Sequence, residues 1–237
     1  MQLLDSSDLG LRSARLTFRS TGSNVTITLF PMVHLGGASF YDAVHQDAGA
    51  HDAILVEGLR SPVATRITRA YRWIEGASRI GLVVQPRPRA QSLAQATIIH
   101  ADLSKDEFER HWRKVPLYLK LLLYSTAPLY ALHCRWFGSR AKLAKSLALD
   151  DLPGRGETLG WRPEYETVDK AIVAARDQRL VAVMADYLDA APAEPRRLAI
   201  VYGAEHMRAV VKELVGKRHY RCVKSEWMLI FPLVENY

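Results

Sequence analysis

The sequence predicts an α/β fold: a central mixed, largely parallel sheet flanked by helices, with a helical insertion across about residues 104–160. Two observations point to it. Short apolar runs suited to buried strands alternate with stretches of helical periodicity along most of the chain. Four of those runs also end in a residue drawn from His, Glu and Asp, where an open α/β sheet gathers its ligands. The length agrees, because 237 residues at roughly 150 per domain suit one α/β domain, 1–237, carrying an insertion. An apolar share of 49% supports a sizeable core and excludes a disordered or collagen-like chain.

Residues 14–33 read as two strands around the turn Thr21-Gly22-Ser23-Asn24. Gly36-Gly37 closes the second, and ASFYDAVHQDAG has the spacing of a short helix with Phe40 and Val44 inward. Asp52 to Val56 is a compact apolar strand ended by Glu57-Gly58. Strand, helix and strand within about 34 residues is the length of a βαβ unit, which implies a parallel pair. Ser61-Pro62 has the form of an N-cap followed by proline at the first helical position, and the helix is expected to run through Trp73. GLVVQ (81–85) and ATIIHAD (96–102) are further strands, and Ser104 with Glu107 makes a capping box for a helix toward Trp112.

Pro116 to Phe137 is the most apolar stretch but is interrupted by Lys120 and Pro128, falling just short of the ~20 apolar residues that a spanning helix needs. It reads as a buried helical pair broken at Pro128, or as an interfacial segment with a basic rim from Arg110 to Lys145. Leu147 to Trp161 is loop-like, and its Gly154 and Gly156 have no strand before them, so they carry no phosphate-binding weight. Glu164 to Leu188 is expected as one long helix, RLAIVYG (197–203) as a buried strand, and HMRAVVKELVG as a helix capped by Gly216. The terminal HYRCVKSEWMLIFPLV reads as strands.

Lys and Arg outnumber Asp and Glu by 32 to 25, which favours an anionic contact: nucleic acid, a phospholipid surface or an acidic substrate. Nucleic acid is disfavoured, because the basic cluster carries no recognised docking motif. Cys134 and Cys222 are far apart, against a disulfide scaffold and in keeping with a reducing cytoplasm. No basic head precedes a long apolar run at the N-terminus, so no signal peptide is expected, and a cytoplasmic, membrane-peripheral location is the working reading. Homo-oligomerisation is left open.

The strand ends carry the chemistry. His34 follows TLFPMV; Glu57 follows AILV; His100 and Asp102 end ATIIHAD; and Tyr202, Gly203, Glu205 and His206 follow LAIV. Two imidazoles and a carboxylate approaching one point form a usual set for a divalent metal, and such an ion acidifies bound water. Each residue also has a bland role. His34 suits a backbone hydrogen bond, Glu57 a helix N-terminus, His100 a core position, Asp102 a loop acceptor and Glu205 a first helical turn. Gly203-x-x-His206 is weak as a spacing, since 14 Gly and 8 His give about half an occurrence by chance. Its place between a buried strand and a helix is what separates it from Gly216-x-x-His219. Arg176 lies in the row Ile172, Arg176, Leu180, Met184, so a guanidinium points along an apolar stripe and needs a partner, for which Glu57 and Asp102 are the available class.

The blocks PMVHLGGASFYDAV, ILVEG, ARDQRLVAVMADYL and VYGAEH, in that order, resemble the TraB/Tiki family, which belongs with erythromycin-esterase-like and ChaN-like proteins. The resemblance runs over about residues 24–216 and implies that the four elements meet in one cleft. For Tiki-like members it implies metal-dependent peptide hydrolysis with Mn or Co, while the donor set by itself also admits Zn. On that pattern His34, Glu57 and His206 are the metal-site residues and Arg176 a buried site residue. One departure is that the first histidine sits in Pro31-Met32-Val33-His34, where the family commonly has Gly-x-x-His; proline offers neither the backbone freedom nor the N–H.

The expectation is therefore a metal-dependent hydrolase of amide bonds, peptides foremost, in which water on an ion held by His34, Glu57 and His206 attacks the carbonyl, with His34, Glu57, Arg176, Glu205 and His206 catalytic and Glu57 or Glu205 the general base. Tyr202, Gly203, His100 and Asp102 are expected to bind substrate. A metal-free esterase-like hydrolase using a histidine as base, and a binding or regulatory protein on the same fold, are the alternatives.

Overall fold

A computed structural model describes residues 2–59, 61–75, 80–87, 95–150, 168, 173–190 and 193–234. It is an α/β protein built on a mixed sheet of eight strands flanked by helices.

Strands β1 (Gln2–Ser7) and β2 (Gly10–Arg19) form a hairpin, and β2 pairs antiparallel with β3 (Val25–Met32) across the turn at 21–24. A two-residue strand, β4 (Leu35–Gly36), leads into helix α1 (Ala38–Gly49), which buries Phe40, Tyr41 and Val44. Strand β5 (Ala53–Val56) follows. Ser61 caps α2 (Pro62–Thr68) through its hydroxyl, which accepts from the Val63 N–H at 3.2 Å. The helix expected through Trp73 is interrupted after Thr68 and resumes as α3 (Tyr71–Glu75). Strand β6 (Val83–Val84) pairs with β4, and β7 (Thr97–His100) pairs parallel with β5. Helix α4 (Lys105–Arg113) starts with both halves of the Ser104–Glu107 capping box in place. Helices α5 (Leu117–Phe137) and α6 (Arg140–Leu147) and strand β8 (Leu149–Asp150) complete the excursion. Among the described residues the remaining elements are α7 (Ala175–Asp189), β9 (Arg196–Gly203), a 3₁₀ turn (Ala204–His206), α8 (Met207–Gly216) and β10 (Arg221–Pro232).

The sheet order is β7-β5-β9-β3-β2-β1-β8, with β10 antiparallel on β2. The half β7-β5-β9-β3 is entirely parallel, so all four strands point their carboxyl ends the same way. β3 and β5 run parallel as the βαβ reading requires, yet they are not neighbours, because β9 lies between them and pairs with both. Side chains alternate across this half. Phe30, Met32, Ile54, Val56, Ala199 and Val201 pack with α1, α5 and α6, while Ile27, Leu29, Ala53, Leu55, Leu198 and Ile200 pack with α7 and α8. Burial on both faces is what made these strands read as continuous apolar runs.

Three expectations are corrected. The apolar segment is not a buried pair broken at Pro128: α5 runs unbroken through it for 21 residues and exposes much of its apolar side. ATIIHAD is an edge strand with Thr97, Ile98 and His100 exposed, so His100 is not a core histidine. Gly216 does not supply a left-handed cap; Lys217 ends the helix at φ −112°, and the positive φ of +55° falls on His219. Gly154, Gly156, Ile172 and the first part of the long helix lie outside the described residues.

Pro31 is tolerated inside β3 for a visible reason. The Ser13 hydroxyl donates to the Pro31 carbonyl at 2.7 Å, which identifies the β2 side as the edge Pro31 faces. There the ladder with β2 has already stopped at Leu29, so the missing N–H breaks no pairing with β9.

Ile200 is fully buried between the sheet and α7–α8. Ile200→Ala is expected to cost about 2–5 kcal/mol in urea unfolding with an unchanged m-value.

Candidate active site

The carboxyl ends of the four parallel strands bring the candidate residues into one cluster. β5 delivers Glu57, β7 delivers Asp102 two residues past its end, β9 delivers Tyr202 and Gly203, and β3 delivers His34 two residues past its end. The corner carrying His34 is held by the Tyr41 hydroxyl, which donates to the Val33 carbonyl at 2.9 Å, and by the Gln85 N–H, which donates to the His34 carbonyl at 2.9 Å.

Arg176, in the first turn of α7, is the tie. Its Nε and Nη2 donate to the two oxygens of Asp102 at 2.9 and 2.8 Å, and Nη2 also donates to Glu57 Oε1 at 2.5 Å. The need for a carboxylate partner is met twice. Asp102 accepts further from the N–H groups of Leu103 and Gly58 at 2.9 and 3.3 Å. Glu57 Oε2 accepts from the Gly203 N–H at 3.0 Å, which joins the ends of β5 and β9. The buried Tyr202 ring lies 5.5 Å from the guanidinium, and its hydroxyl is 3.4 Å from Nη2.

Charge balance follows from this wiring. Burial opposes ionisation of Glu57, but Arg176, His34 and His206 together outweigh it and hold its pKa below the usual carboxylate value. Asp102 behaves alike: burial works against its charge, while the hydrogen bonds and charge of Arg176 and the two backbone donors bring its pKa down. Burial likewise works against the Arg176 cation, and the two carboxylates more than compensate, raising its pKa. Tyr202 is pushed up, chiefly by burial, and remains a protonated phenol.

His206 explains the Gly-x-x-His spacing. A 3₁₀ turn has three residues per turn, so residue 206 stacks over residue 203. A Cβ at Gly203 would stand 3.3 Å from His206 Cδ2 and 3.4 Å from Glu57 Oε2. Glycine therefore lets the imidazole and the carboxylate close over one strand end. His206 Nδ1 lies 2.6 Å from Asp177 Oδ1 and its ring packs edge-on against Tyr202 at 5.0 Å. A carboxylate can only accept, so Nδ1 is the donor, and the tautomer this selects has its lone pair on Nε2.

His34 is reached by solvent but surrounded by protein on most sides. Desolvation, with the charges of Arg176 and His206, lowers its pKa against the opposing pull of Glu57, so it is neutral at pH 7. Its ring tilts over Tyr71 at 5.1 Å. Both His34 and His206 thus act electrostatically on Glu57.

Two candidates stand outside the cluster. Glu205, expected as a general base, is exposed; a 3₁₀ turn rotates it about 120° away from His206, and it acts instead on Tyr71, whose pKa burial, Tyr130 and Glu205 raise. His100 is exposed on the rim, its Nδ1 2.8 Å from where a Gly58 Cβ would lie. Two neighbours had been given no site role from the sequence. Asp177 had one signal, its place beside Arg176 in ARDQRL; Tyr71 had none.

The expected metal residues do not form a ready ligand set. Both Glu57 oxygens are already engaged, by Arg176 and by the Gly203 N–H, and one nitrogen of His206 is taken by Asp177. Among the described residues no group of three or more His, Cys, Asp or Glu side chains is arranged to hold an ion. No family model, curated protein or solved structure matches the chain.

The depressed pKa of His34 has a stability signature. The unfolded chain protonates its histidine near pH 6.5, before the folded protein does. Stability is therefore full above that pH and declines as pH falls below it. His45 and His51, whose pKa values burial also lowers, contribute the same sign. In urea unfolding between pH 7.5 and 5, His34→Asn is expected to lose less stability than the wild type; equal losses would contradict the placement of His34.

Proposed function

We propose that the chain is a hydrolase of carboxylic amide or ester bonds in which His206 removes a proton from the attacking water. The observation that carries this reading is the pair His206 Nδ1–Asp177 Oδ1 at 2.6 Å beside an ionised Glu57. A carboxylate that fixes the imidazole tautomer leaves Nε2 as the base and stabilises the imidazolium that forms. Neutral His34 supplies an N–H donor for the oxygen of the carbonyl under attack. Arg176 does not need to touch substrate; it keeps Glu57 and Asp102 ionised and in register.

The resemblance to TraB/Tiki and erythromycin-esterase-like proteins supports a hydrolytic reading. The donor geometry favours its metal-independent form over one using Mn or Co, and no step above is routed through an ion. Peptide, amide and ester substrates share the reacting carbonyl, so the test is a panel of activated esters, anilides and peptides.

The wild type is expected to hydrolyse members of this panel equally with excess chelator and with added Mn²⁺ or Co²⁺. His206→Ala should lower the rate by about 10²–10⁴-fold, and Asp177→Asn should lower kcat while leaving KM within a few-fold. Turnover seen only with added ion, or unaffected by His206→Ala, would overturn the proposal. Absence of turnover across the panel, with the folded protein unchanged, would favour a binding protein.

A further inference from the structure

Residues 110–149 contain eight Lys or Arg and no Asp or Glu. The remainder of the chain has 24 basic against 25 acidic side chains, so the entire positive excess lies in this one stretch. The same stretch holds α5, which packs on the protein through Ala131 and Cys134. On its other side Tyr118, Leu121, Leu122 and Leu129 fall within about 100° of arc on a helix of 3.6 residues per turn. With Leu117 and Phe137 at the ends, these side chains are 46–70% exposed. Arg113 and Lys114 stand exposed just before this face, where Arg110, His111, Arg113 and Lys114 line an open concavity of about 400 Å³. Arg135, Lys142 and Lys145 stand exposed at the other end.

From this arrangement we infer that α5 is an in-plane docking helix for an anionic phospholipid surface. An apolar stripe with basic ends matches the interface in both respects: the stripe enters the acyl boundary while the cations meet phosphate. A second copy of the chain is a poor occupant, because it would set two acid-free basic faces against each other. Spanning is also a poor fit. Among the described residues no single helix is long and apolar enough to cross a membrane, and α4 and α5 meet at a bend of 113°. The helix lies on the surface, and the inference stands independently of the proposed hydrolysis.

The test is flotation of the full chain with vesicles of phosphatidylcholine alone and with added phosphatidylglycerol. Binding is expected only with the anionic lipid, and it should fall with salt. Leu121→Asp/Leu129→Asp should abolish it. Arg113→Gln/Lys114→Gln should weaken it about fivefold per charge removed, roughly 25-fold together. All four side chains are exposed, so the urea midpoint should stay at the wild-type value; should the Asp pair fail to fold, the Gln pair decides. Equal binding to both vesicles, no binding to either, or a self-associated form dissolved by Leu121→Asp/Leu129→Asp without lipid uptake would overturn the inference.

Discussion

Everything at the carboxyl edge of the parallel sheet depends on one guanidinium. Arg176 is buried where an isolated cation is prohibitively costly, and it is tolerated because Asp102 receives two of its donors and Glu57 a third contact. Through those bonds a helix is fastened to the ends of β5 and β7, and the Gly203 N–H on Glu57 extends the tie to β9. None of these charges is optional once the others are present, because removing one leaves its partners desolvated and unpaired. The cluster therefore acts as a fixed frame. Asp177 is set on it as the next residue of the same helix, and His206 by the 3₁₀ turn that follows β9.

The frame was legible in the sequence to an unusual depth, because burial and charge conflict openly. An arginine in the apolar row with Leu180 and Met184 demands a carboxylate, and apolar strands ending in Glu57 and near Asp102 offer one. Likewise the continuous apolar runs of β3, β5 and β9 follow from packing on both faces. The strand order was less accessible. β9 comes late in the chain yet inserts between β3 and β5, and no local pattern encodes which strand is a neighbour.

What stayed hidden was set by rotation and by context. Glu205 and His206 are adjacent in sequence, but a 3₁₀ turn sends one to solvent and the other over Gly203. Asp177 stood in the sequence only as the neighbour of Arg176 in the ARDQRL block, and its role became visible when the fold placed an imidazole beside it. In α5 the composition left a buried pair and an interfacial segment both open, since hydrophobicity reports that a side chain avoids water without saying what covers it.

A double-mutant cycle between Arg176→Met and Asp102→Asn, read by urea unfolding at pH 7, probes the tie directly. If the guanidinium holds the strand ends together through Asp102, the two changes should be strongly non-additive, with a coupling of about 1–3 kcal/mol, and the double variant should be more stable than the single losses summed. Additive losses within about 0.3 kcal/mol would mean that the two groups act independently, and the ion cluster would not be what organises this edge of the sheet.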